Sequence, residues 1–266
     1  MPAQKQQKQG QHILKGRAAF TLAARQLLVH KMVYGWRRRG QTLLEVNCGA
    51  GFFLDGFWEA GFNVNGQEKD RDLAQNARDR LGGKAEIALA SPEHLPYEDD
   101  FFDYAVCVNG MDNINTPNPQ NVMAEMLRVA SKGVLIAFSN IFSAYGLGYV
   151  LSGKIAPQDG GAFPQHPINS FRLWSMLRKE IGQDRISWGS NLLGPAWSWG
   201  SGSEFLGRVL RAWNLASVPF PLGAFAVMRV DLAPAVAGNQ ILIPHGGRLT
   251  PPKFVLADPA VGGGTK

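Results

Sequence analysis

A short segment that contains two glycines, Glu45-Val-Asn-Cys-Gly-Ala-Gly-Phe, comes directly after an apolar run and directly before a helical pattern. Gly49 and Gly51 allow the backbone to turn tightly and to approach a ligand closely, and the first amides of the helix face the same space. The segment is therefore suited to bind a small charged ligand where a strand meets a helix. A Gly-x-Gly turn alone is common in α/β proteins, so further residues must decide which ligand it binds.

A carboxylate follows at the spacing that a nucleoside site requires. Glu68 lies at the end of the second predicted strand, 17 residues beyond Gly51, where its oxygens can accept hydrogen bonds from both ribose hydroxyls. A dinucleotide dehydrogenase would have a third glycine three residues after Gly51, because that glycine lets the helix pack closely on the strand. Leu54 occupies that position, which argues against a dehydrogenase.

A third segment, Ser91-Pro-Glu-His-Leu-Pro-Tyr-Glu-Asp-Asp-Phe-Phe-Asp, leads into another apolar run. With it, residues 41–140 resemble the class I S-adenosylmethionine-dependent methyltransferases of the type 11 group. That group has, in order, an acidic loop of the form Asp/Glu-x-Gly-Cys-Gly-x-Gly, an acidic strand end, Asp-Ala-Glu-x-Leu-Pro-Phe and Phe-Asp. The series is far more specific than any one of its parts. The matching positions are Glu45, Cys48, Gly49, Gly51, Glu68, Glu93, Leu95, Pro96, Tyr97, Phe102, Asp103, Glu125, Arg128 and Val129.

The resemblance implies S-adenosylmethionine as the cofactor and assigns residues to each part of it. Glu68 is expected to hold the ribose hydroxyls, and Glu45 to accept hydrogen bonds from the ammonium group. Lys69 or Gln67 is expected to flank the adenine. The implied cofactor-binding residues are Glu45, Asn47, Cys48, Gly49, Gly51, Glu68, Lys69, Ser91, Pro92, Asn109 and Gly110.

Two positions in these motifs depart from the family pattern. Asn47 replaces the first glycine of the loop, and asparagine tolerates left-handed backbone angles better than other residues with side chains. Ser91 replaces the aspartate that meets the adenine amino group, and its hydroxyl can accept that bond more weakly. These departures leave open a protein that binds S-adenosylmethionine without catalysing transfer.

The expected reaction is in-line transfer of a methyl group to a small-molecule acceptor, mostly by positioning. Where the acceptor must lose a proton, Asp112 and His166 are the candidate catalytic bases, and Asp112 is favoured because it follows the fourth predicted strand. Asp112 also suits a turn and His166 a structural role. The pattern Asp/Asn-Pro-Pro-Tyr is missing after that strand, which disfavours amino methylation of DNA bases. No His, Cys or Asp spacing is typical of a metal site.

Alternating apolar runs and helical patterns predict the elements that position these residues. The pattern favours a Rossmann-like α/β fold with a seven-stranded, mostly parallel sheet covered by helices on both faces, which binds ligands beyond the carboxyl ends of its strands. Strands are predicted at 42–46, 62–66, 85–89, 102–108, 134–138, 185–191 and 225–230, and helices at 52–60, 70–81, 121–130, 170–181 and 203–213.

The remaining segments predict a domain organisation around this sheet. Residues 1–40 form a basic arm and lid helix, residues 41–230 form the α/β domain with a cap inserted at 140–170, and residues 231–266 form a tail rich in Pro and Gly. The lid helix is predicted at 13–36. Its apolar stripe, which we expect to cover the cofactor site, comprises Phe20, Ala23, Ala24 and Leu27.

The positive charge of the chain is concentrated in its first part. The net charge is +6, yet residues 1–44 hold nine of the 27 Lys and Arg and none of the 21 Asp and Glu, which leaves 18 basic against 21 acidic residues beyond them. This arm keeps open a protein that binds nucleic acid or an anionic membrane surface, by contacts sensitive to salt. No nucleic-acid motif accompanies it, so we expect no nucleic-acid partner and at most weak contact with anionic surfaces.

Composition sets the remaining limits. With 45% hydrophobic residues in a chain of 266, a collagen-like, coiled-coil or wholly disordered protein is excluded. Two cysteines cannot form a disulfide framework, so a reducing cytoplasm is expected. The long uncharged run 133–153 is expected to be a buried strand and a loop rather than a transmembrane span, because serines, asparagine and glycines dilute it.

Overall fold

The computed structural model describes residues 17–108, 118–144, 146–147, 168–182, 185–193, 209 and 212–233. Five helices and seven strands are formed in these ranges. The helices are α1 (Arg17–Val33), α2 (Phe52–Glu59), α3 (Arg71–Leu81), α4 (Pro119–Val129) and α5 (Ser170–Ile181). The strands are β1 (Thr42–Val46), β2 (Asn63–Glu68), β3 (Glu86–Leu89), β4 (Phe102–Cys107), β5 (Ala130–Ser139), β6 (Ile186–Asn191) and β7 (Phe225–Asp231).

The strands form one sheet in the order β3-β2-β1-β4-β5-β7-β6. The pairs from β3 to β5 are all parallel, whereas β7 runs antiparallel to β5 and β6. The predicted seven-stranded, mostly parallel sheet is therefore confirmed. The strand order reverses between β1 and β4, and such a switch point opens a crevice at the carboxyl ends of the strands.

Two apolar clusters cover the two faces of the sheet. One joins α1, α2 and α3 to the sheet through residues such as Leu28, Phe57 and Ala77. The other joins α4 and α5 to it through residues such as Met126 and Leu177. Successive strand residues point to opposite faces, so a strand buried on both sides has an almost continuous apolar sequence. This is why the sequence pattern predicts β1 and β4 well.

Helix α1 packs against β6 and β7, and its buried face is offset from the predicted stripe. Ala24, Leu28, Val29 and Val33 are buried, whereas Leu27 is 42% exposed. The prediction that Leu27 belongs to the buried stripe was therefore wrong, because the helix turns its 24–28 edge to the sheet. The helix also ends at Val33 rather than at residue 36, since the chain turns there and buries Trp36.

Two strands extend beyond their predicted bounds into polar residues. β2 continues to Glu68 instead of ending at residue 66, and β5 begins at Ala130 instead of residue 134. Partners distant in the chain satisfy the added polar groups: Ser131 Oγ donates to the carbonyl of Phe102 at 3.0 Å, for example. Polar residues with such partners remain compatible with a buried strand.

Three predictions fall wholly or mainly outside the described residues. They are the helix at 203–213, most of the cap at 140–170 and most of the tail at 231–266. The first part of the uncharged run 133–153 lies in β5, as predicted. Within the part of the chain that the structure describes, no helix combines the length and apolar character needed to cross a bilayer.

Candidate functional site

The loop after β1 turns through three residues with left-handed backbone angles. Asn47, Gly49 and Gly51 have φ values of 55°, 56° and 76°. Asn47 thus adopts the left-handed conformation expected of a residue in a glycine position. The amide of Gly51 donates to the carbonyl of Cys48 at 3.0 Å, which closes the turn immediately before α2.

The two glycines of this loop have different surroundings. A Cβ atom added at Gly49 would meet no atom within 4 Å, so the backbone there borders open space. A Cβ at Gly51 would lie 3.2 Å from Leu81 Cδ1 and 3.3 Å from the Cβ of Ala77. Gly49 therefore leaves room for a ligand, whereas Gly51 lets the loop pack closely on α3.

The carboxylate of Glu68 is fixed by the loops around it. Its Oε2 accepts a hydrogen bond from the amide of Gly49 at 2.8 Å. Its Oε1 accepts from the amides of Lys69 and Asp70 at 2.8 and 3.0 Å. Oε1 has both of its lone pairs used, whereas Oε2 accepts one bond only and can still accept another from a ligand hydroxyl. Glu68 is therefore held in one orientation at the end of β2, next to the open glycine.

Glu45 near the end of β1 is buried, and one of its oxygens has no hydrogen-bond partner. The residue is 2% exposed, and its Oε2 is the unpartnered atom. Burial raises the pKa of the carboxyl group well above its usual range, the charge of Glu68 raises it further, and a hydrogen bond from the Leu54 amide opposes this. A buried acceptor left without a donor is costly, so this atom marks a place where a ligand can supply one.

The thiol of Cys48 lies in the same loop and is not a nucleophile. Cys48 is buried, and burial together with the charges of Glu45 and Glu68 raises the pKa of its thiol far above the usual range. The thiolate is therefore scarcely formed at neutral pH, and only the thiolate reacts. Cys48 packs against Gly66, where an added Cβ would lie 2.9 Å from its Sγ.

Gln67 has a positioning role that sequence reasoning missed. Its side chain is fully buried; Oε1 accepts from the amide of Asn47 at 3.1 Å, and Nε2 donates to the carbonyl of Ala90 at 2.6 Å. It thus joins the loop after β1 to the segment after β3. Since its amide is used inside the protein, the exposed Lys69 is the better candidate to flank adenine. A polar residue in a buried strand, directly before the strand-ending acid, was the available signal.

Ser91 and Pro92 follow β3 next to the end of β2. The amide of Ala90 donates to the carbonyl of Glu68 at 3.1 Å, which brings this segment beside the carboxylate. Ser91 forms an isolated bridge with His94, and its Oγ accepts from the amide of Glu93 at 3.4 Å. The hydroxyl therefore sits in a tight turn at the carboxyl edge of the sheet.

Other family positions hold this turn in place. Glu125 on α4 accepts from the amide of Leu95 at 2.7 Å and is paired with Arg128 at 2.7 Å. Arg128 also donates to the carbonyl of Tyr97 at 2.8 Å. These contacts tie the segment after β3 to α4. Among the matched positions, Glu125 and Arg128 therefore hold the segment after β3 in place through contacts within the protein.

Nine of the predicted cofactor-binding residues thus follow or end β1, β2 and β3 at one edge of the sheet. They are Glu45, Asn47, Cys48, Gly49, Gly51, Glu68, Lys69, Ser91 and Pro92. Asn109, Gly110 and the two candidate bases, Asp112 and His166, lie outside the described residues. In the described ranges, no three His, Cys, Asp or Glu side chains are grouped so that they could hold a metal ion.

Comparison with known sequences identifies relatives of the segment that contains these residues. Residues 44–138 match the methyltransferase domain family. An uncharacterized methyltransferase of Mycobacterium tuberculosis is 35% identical over 101 residues, which are 38% of this chain and 39% of the relative. Another of Mycobacterium marinum is 29% identical over 199 residues, or 68% of this chain and 77% of the relative. The chain therefore matches about two fifths of the first relative's length.

Solved structures share the fold at low sequence identity. A crystal structure of an S-adenosylmethionine-dependent methyltransferase from Thermotoga maritima has a TM-score of 0.58 at 18% identity, covering 81% of this chain and 94% of the other. Magnesium protoporphyrin IX methyltransferase from Synechocystis, solved with bound S-adenosylhomocysteine, has a TM-score of 0.52 at 10% identity, covering 80% and 84%. At this level of identity the likeness concerns the fold.

Proposed function

Residues 44–138 are a class I methyltransferase domain of the type 11 group, and we propose that the chain uses it to transfer a methyl group from S-adenosylmethionine to a small-molecule acceptor. The observation that carries this proposal is the buried Oε2 of Glu45 on β1, which has no hydrogen-bond partner, next to a loop in which Gly49 borders open space. When bound, S-adenosylmethionine supplies a methyl group already activated by the sulfonium charge.

The residues present fit this cofactor by their chemistry. An ammonium group carries three donors and a positive charge, so it would complete Glu45 and relieve its repulsion from Glu68. A ribose hydroxyl would donate to the remaining lone pair of Glu68 Oε2. Lys69, Ser91 and Pro92 would hold the adenine. The ammonium, ribose and adenine parts of the cofactor then each have a protein group of suitable chemistry.

The protein's own task is to position the acceptor and to exclude water. Alignment of two reacting groups can lower a barrier by about 7–11 kcal/mol in favourable cases. Where the acceptor carries a proton, Asp112 is proposed to accept it, with His166 as the alternative. Asp112→Asn should then lower turnover and leave cofactor affinity unchanged. We place this activity in a reducing compartment, the cytoplasm, because a chain with two cysteines cannot form a disulfide framework.

Calorimetric titration of the full chain with S-adenosylmethionine and S-adenosylhomocysteine tests the proposal. We expect one molecule to bind per chain, and Glu68→Ala to weaken binding by about 1–3 kcal/mol. Glu86→Gln, which changes an exposed carboxylate on the neighbouring strand β3, is the matched control and should bind like the parent. A chain that binds neither ligand would overturn the proposal.

A turnover assay separates an enzyme from a protein that only binds the cofactor. We expect the parent chain to form S-adenosylhomocysteine in the presence of small-molecule extracts. The Glu68→Ala variant should lose this turnover. Tight binding with no turnover on any acceptor fraction would instead favour the binding protein that the departures at Asn47 and Ser91 leave open.

A further inference from the structure

Four large apolar side chains are exposed beyond β5, β6 and β7, at the carboxyl edge of the sheet. Phe142 follows β5 and is 40% exposed; Phe171, in the first turn of α5, is 55% exposed. Phe220 and Leu222, in the turn before β7, are 62% and 61% exposed. We refer to these four side chains as the apolar rim. Exposed apolar side chains that are grouped rather than scattered mark an interaction surface.

Hydrogen bonds fix the turn that carries Phe220 and Leu222. Asn140 Nδ2 donates to the carbonyl of Pro221 at 2.6 Å. Ser190 Oγ accepts from the amide of Gly223 at 3.0 Å and donates to the carbonyl of Phe220. Both anchoring side chains are fully buried. The two apolar tips therefore project from a rigid turn.

The segments that carry Phe142 and Phe171 are also connected to Asn140. The amide of Ile141 donates to the carbonyl of Ile168 at 3.1 Å, which places the segment after β5 beside the start of α5. The rings of Phe142 and Phe171 then meet edge to face, with centroids 5.3 Å apart. Because Asn140 precedes Ile141 directly, one residue joins both halves of the rim.

Few carboxylates lie in the described segments that meet at the rim. Residues 139–144 and 217–224 contain no Asp or Glu, and the one acid of α5, Glu180, lies at the other end of the helix from Phe171. Two exposed cations lie beside the rim: Lys31 donates to Ser217 Oγ, near Phe220, and Arg172 follows Phe171. An anionic surface would therefore meet positive charge around an apolar centre.

We propose that the apolar rim is a docking surface for an anionic lipid membrane. The four apolar side chains would enter the boundary between headgroups and acyl chains, while Lys31 and Arg172 meet the phosphates. A basic arm alone gives contact that is purely electrostatic and sensitive to salt. The rim adds an apolar contribution, which is what distinguishes this proposal from adsorption through residues 1–40. Docking would turn the carboxyl edge of the sheet, where the candidate site lies, toward the membrane.

Flotation of the full chain with lipid vesicles tests this inference. We expect binding to vesicles of phosphatidylcholine with phosphatidylglycerol, little binding to phosphatidylcholine alone, and partial retention in high salt. The double variant Phe220→Ser with Leu222→Ser should weaken binding to anionic vesicles at least about tenfold, because two apolar side chains no longer enter the interface. Its thermal unfolding and affinity for S-adenosylhomocysteine should match those of the parent, since both side chains are exposed.

The control is Trp58→Ser with Leu73→Ser, which removes two exposed apolar side chains from α2 and α3, away from the rim. This control should bind vesicles like the parent. The inference is overturned if the parent does not float, or if the rim variant floats as well as the parent. It is also overturned if the rim variant changes only the oligomeric state in analytical ultracentrifugation, because the rim would then bind a second copy. Flotation, thermal unfolding and sedimentation can all be measured whether or not the chain binds S-adenosylmethionine.

Discussion

Glu45 and Asp103 lie at opposite ends of the adjacent strands β1 and β4, and their surroundings differ in kind. Asp103, at the amino edge of the sheet, accepts from the amide of Thr42 at 2.7 Å and pairs with Lys132 at 2.5 Å. Glu45, at the carboxyl edge, accepts from the Leu54 amide, and its Oε2 has no hydrogen-bond partner. The chain itself supplies partners for the Asp103 carboxylate, whereas one oxygen of Glu45 has no hydrogen-bond partner.

The pKa values of the two groups reflect this difference. Burial acts most strongly on Asp103 and would raise its pKa, but Lys132 and the bonds from Thr42 together outweigh burial, so the pKa is lowered. For Glu45, burial and the charge of Glu68 act in the same direction, and the pKa is raised. Two acidic positions of the same family pattern thus have different surroundings: Asp103 is bound by its own chain, whereas we propose that Glu45 binds a ligand.

Asp103→Ala should show the largest effect, and it should fall on stability. The variant loses the pairing with Lys132 and leaves the Thr42 amide without its acceptor, so we expect the free energy of unfolding to fall by about 2–3 kcal/mol. Chemical denaturation measures this loss. Affinity for S-adenosylhomocysteine should stay within about twofold, because the residue is at the other edge of the sheet. A stable variant with weakened binding would contradict the comparison.

Glu45→Gln should lower ligand affinity without lowering stability, which is the reverse of the result expected for Asp103→Ala. Glutamine keeps an acceptor for the Leu54 amide but removes the charge, so affinity for S-adenosylhomocysteine should fall by about 1–3 kcal/mol, on the order of 10- to 100-fold. Stability at neutral pH should be unchanged or higher, because a buried carboxyl group beside Glu68 has been removed. Calorimetry and denaturation of the same preparation provide both measurements. A loss of stability without a loss of affinity would make Glu45 a structural residue.

Binding should also release a proton from Glu45. In the free protein its pKa is raised, so part of the population is protonated; a cationic ammonium group favours the carboxylate and lowers that pKa. Affinity should therefore rise with pH up to the raised pKa and level off above it, by at most about tenfold per pH unit. Calorimetry in buffers of different ionisation enthalpy counts the protons. Glu45→Gln should abolish the release, and a release that persists in this variant would assign it to another group.

The sequence predicts the buried strands better than the polar contacts between elements, for a physical reason. Runs of apolar residues reveal buried parallel strands such as β1 and β4 directly. Glu68 was found from its spacing to Gly51, and Glu45 was assigned from the family resemblance. The role of Gln67 depends on the carbonyl of Ala90, 23 residues away, and the start of β5 depends on partners on β4. Local patterns contain no information on such distant partners. Likewise, the offset of the α1 stripe at Leu27 is set by packing on β6 and β7.

The smallest effect is expected at Asn47, and it links the two properties that the comparison separates. Its left-handed backbone costs about 1–2 kcal/mol for most side chains and less for asparagine, so Asn47→Ala should lower the free energy of unfolding by about 1 kcal/mol. Asn47→Gly, the matched control, removes the strain and should be as stable as the parent or slightly more stable. Because the Asn47 amide donates to Gln67, strain at this position also shifts the loop that precedes Gly49, and Asn47→Ala should weaken cofactor binding by a few-fold. If alanine and glycine variants are equally stable and bind equally well, the left-handed turn does not couple the loop to the sheet, and Asn47 acts only as a spacer between Glu45 and the open glycine.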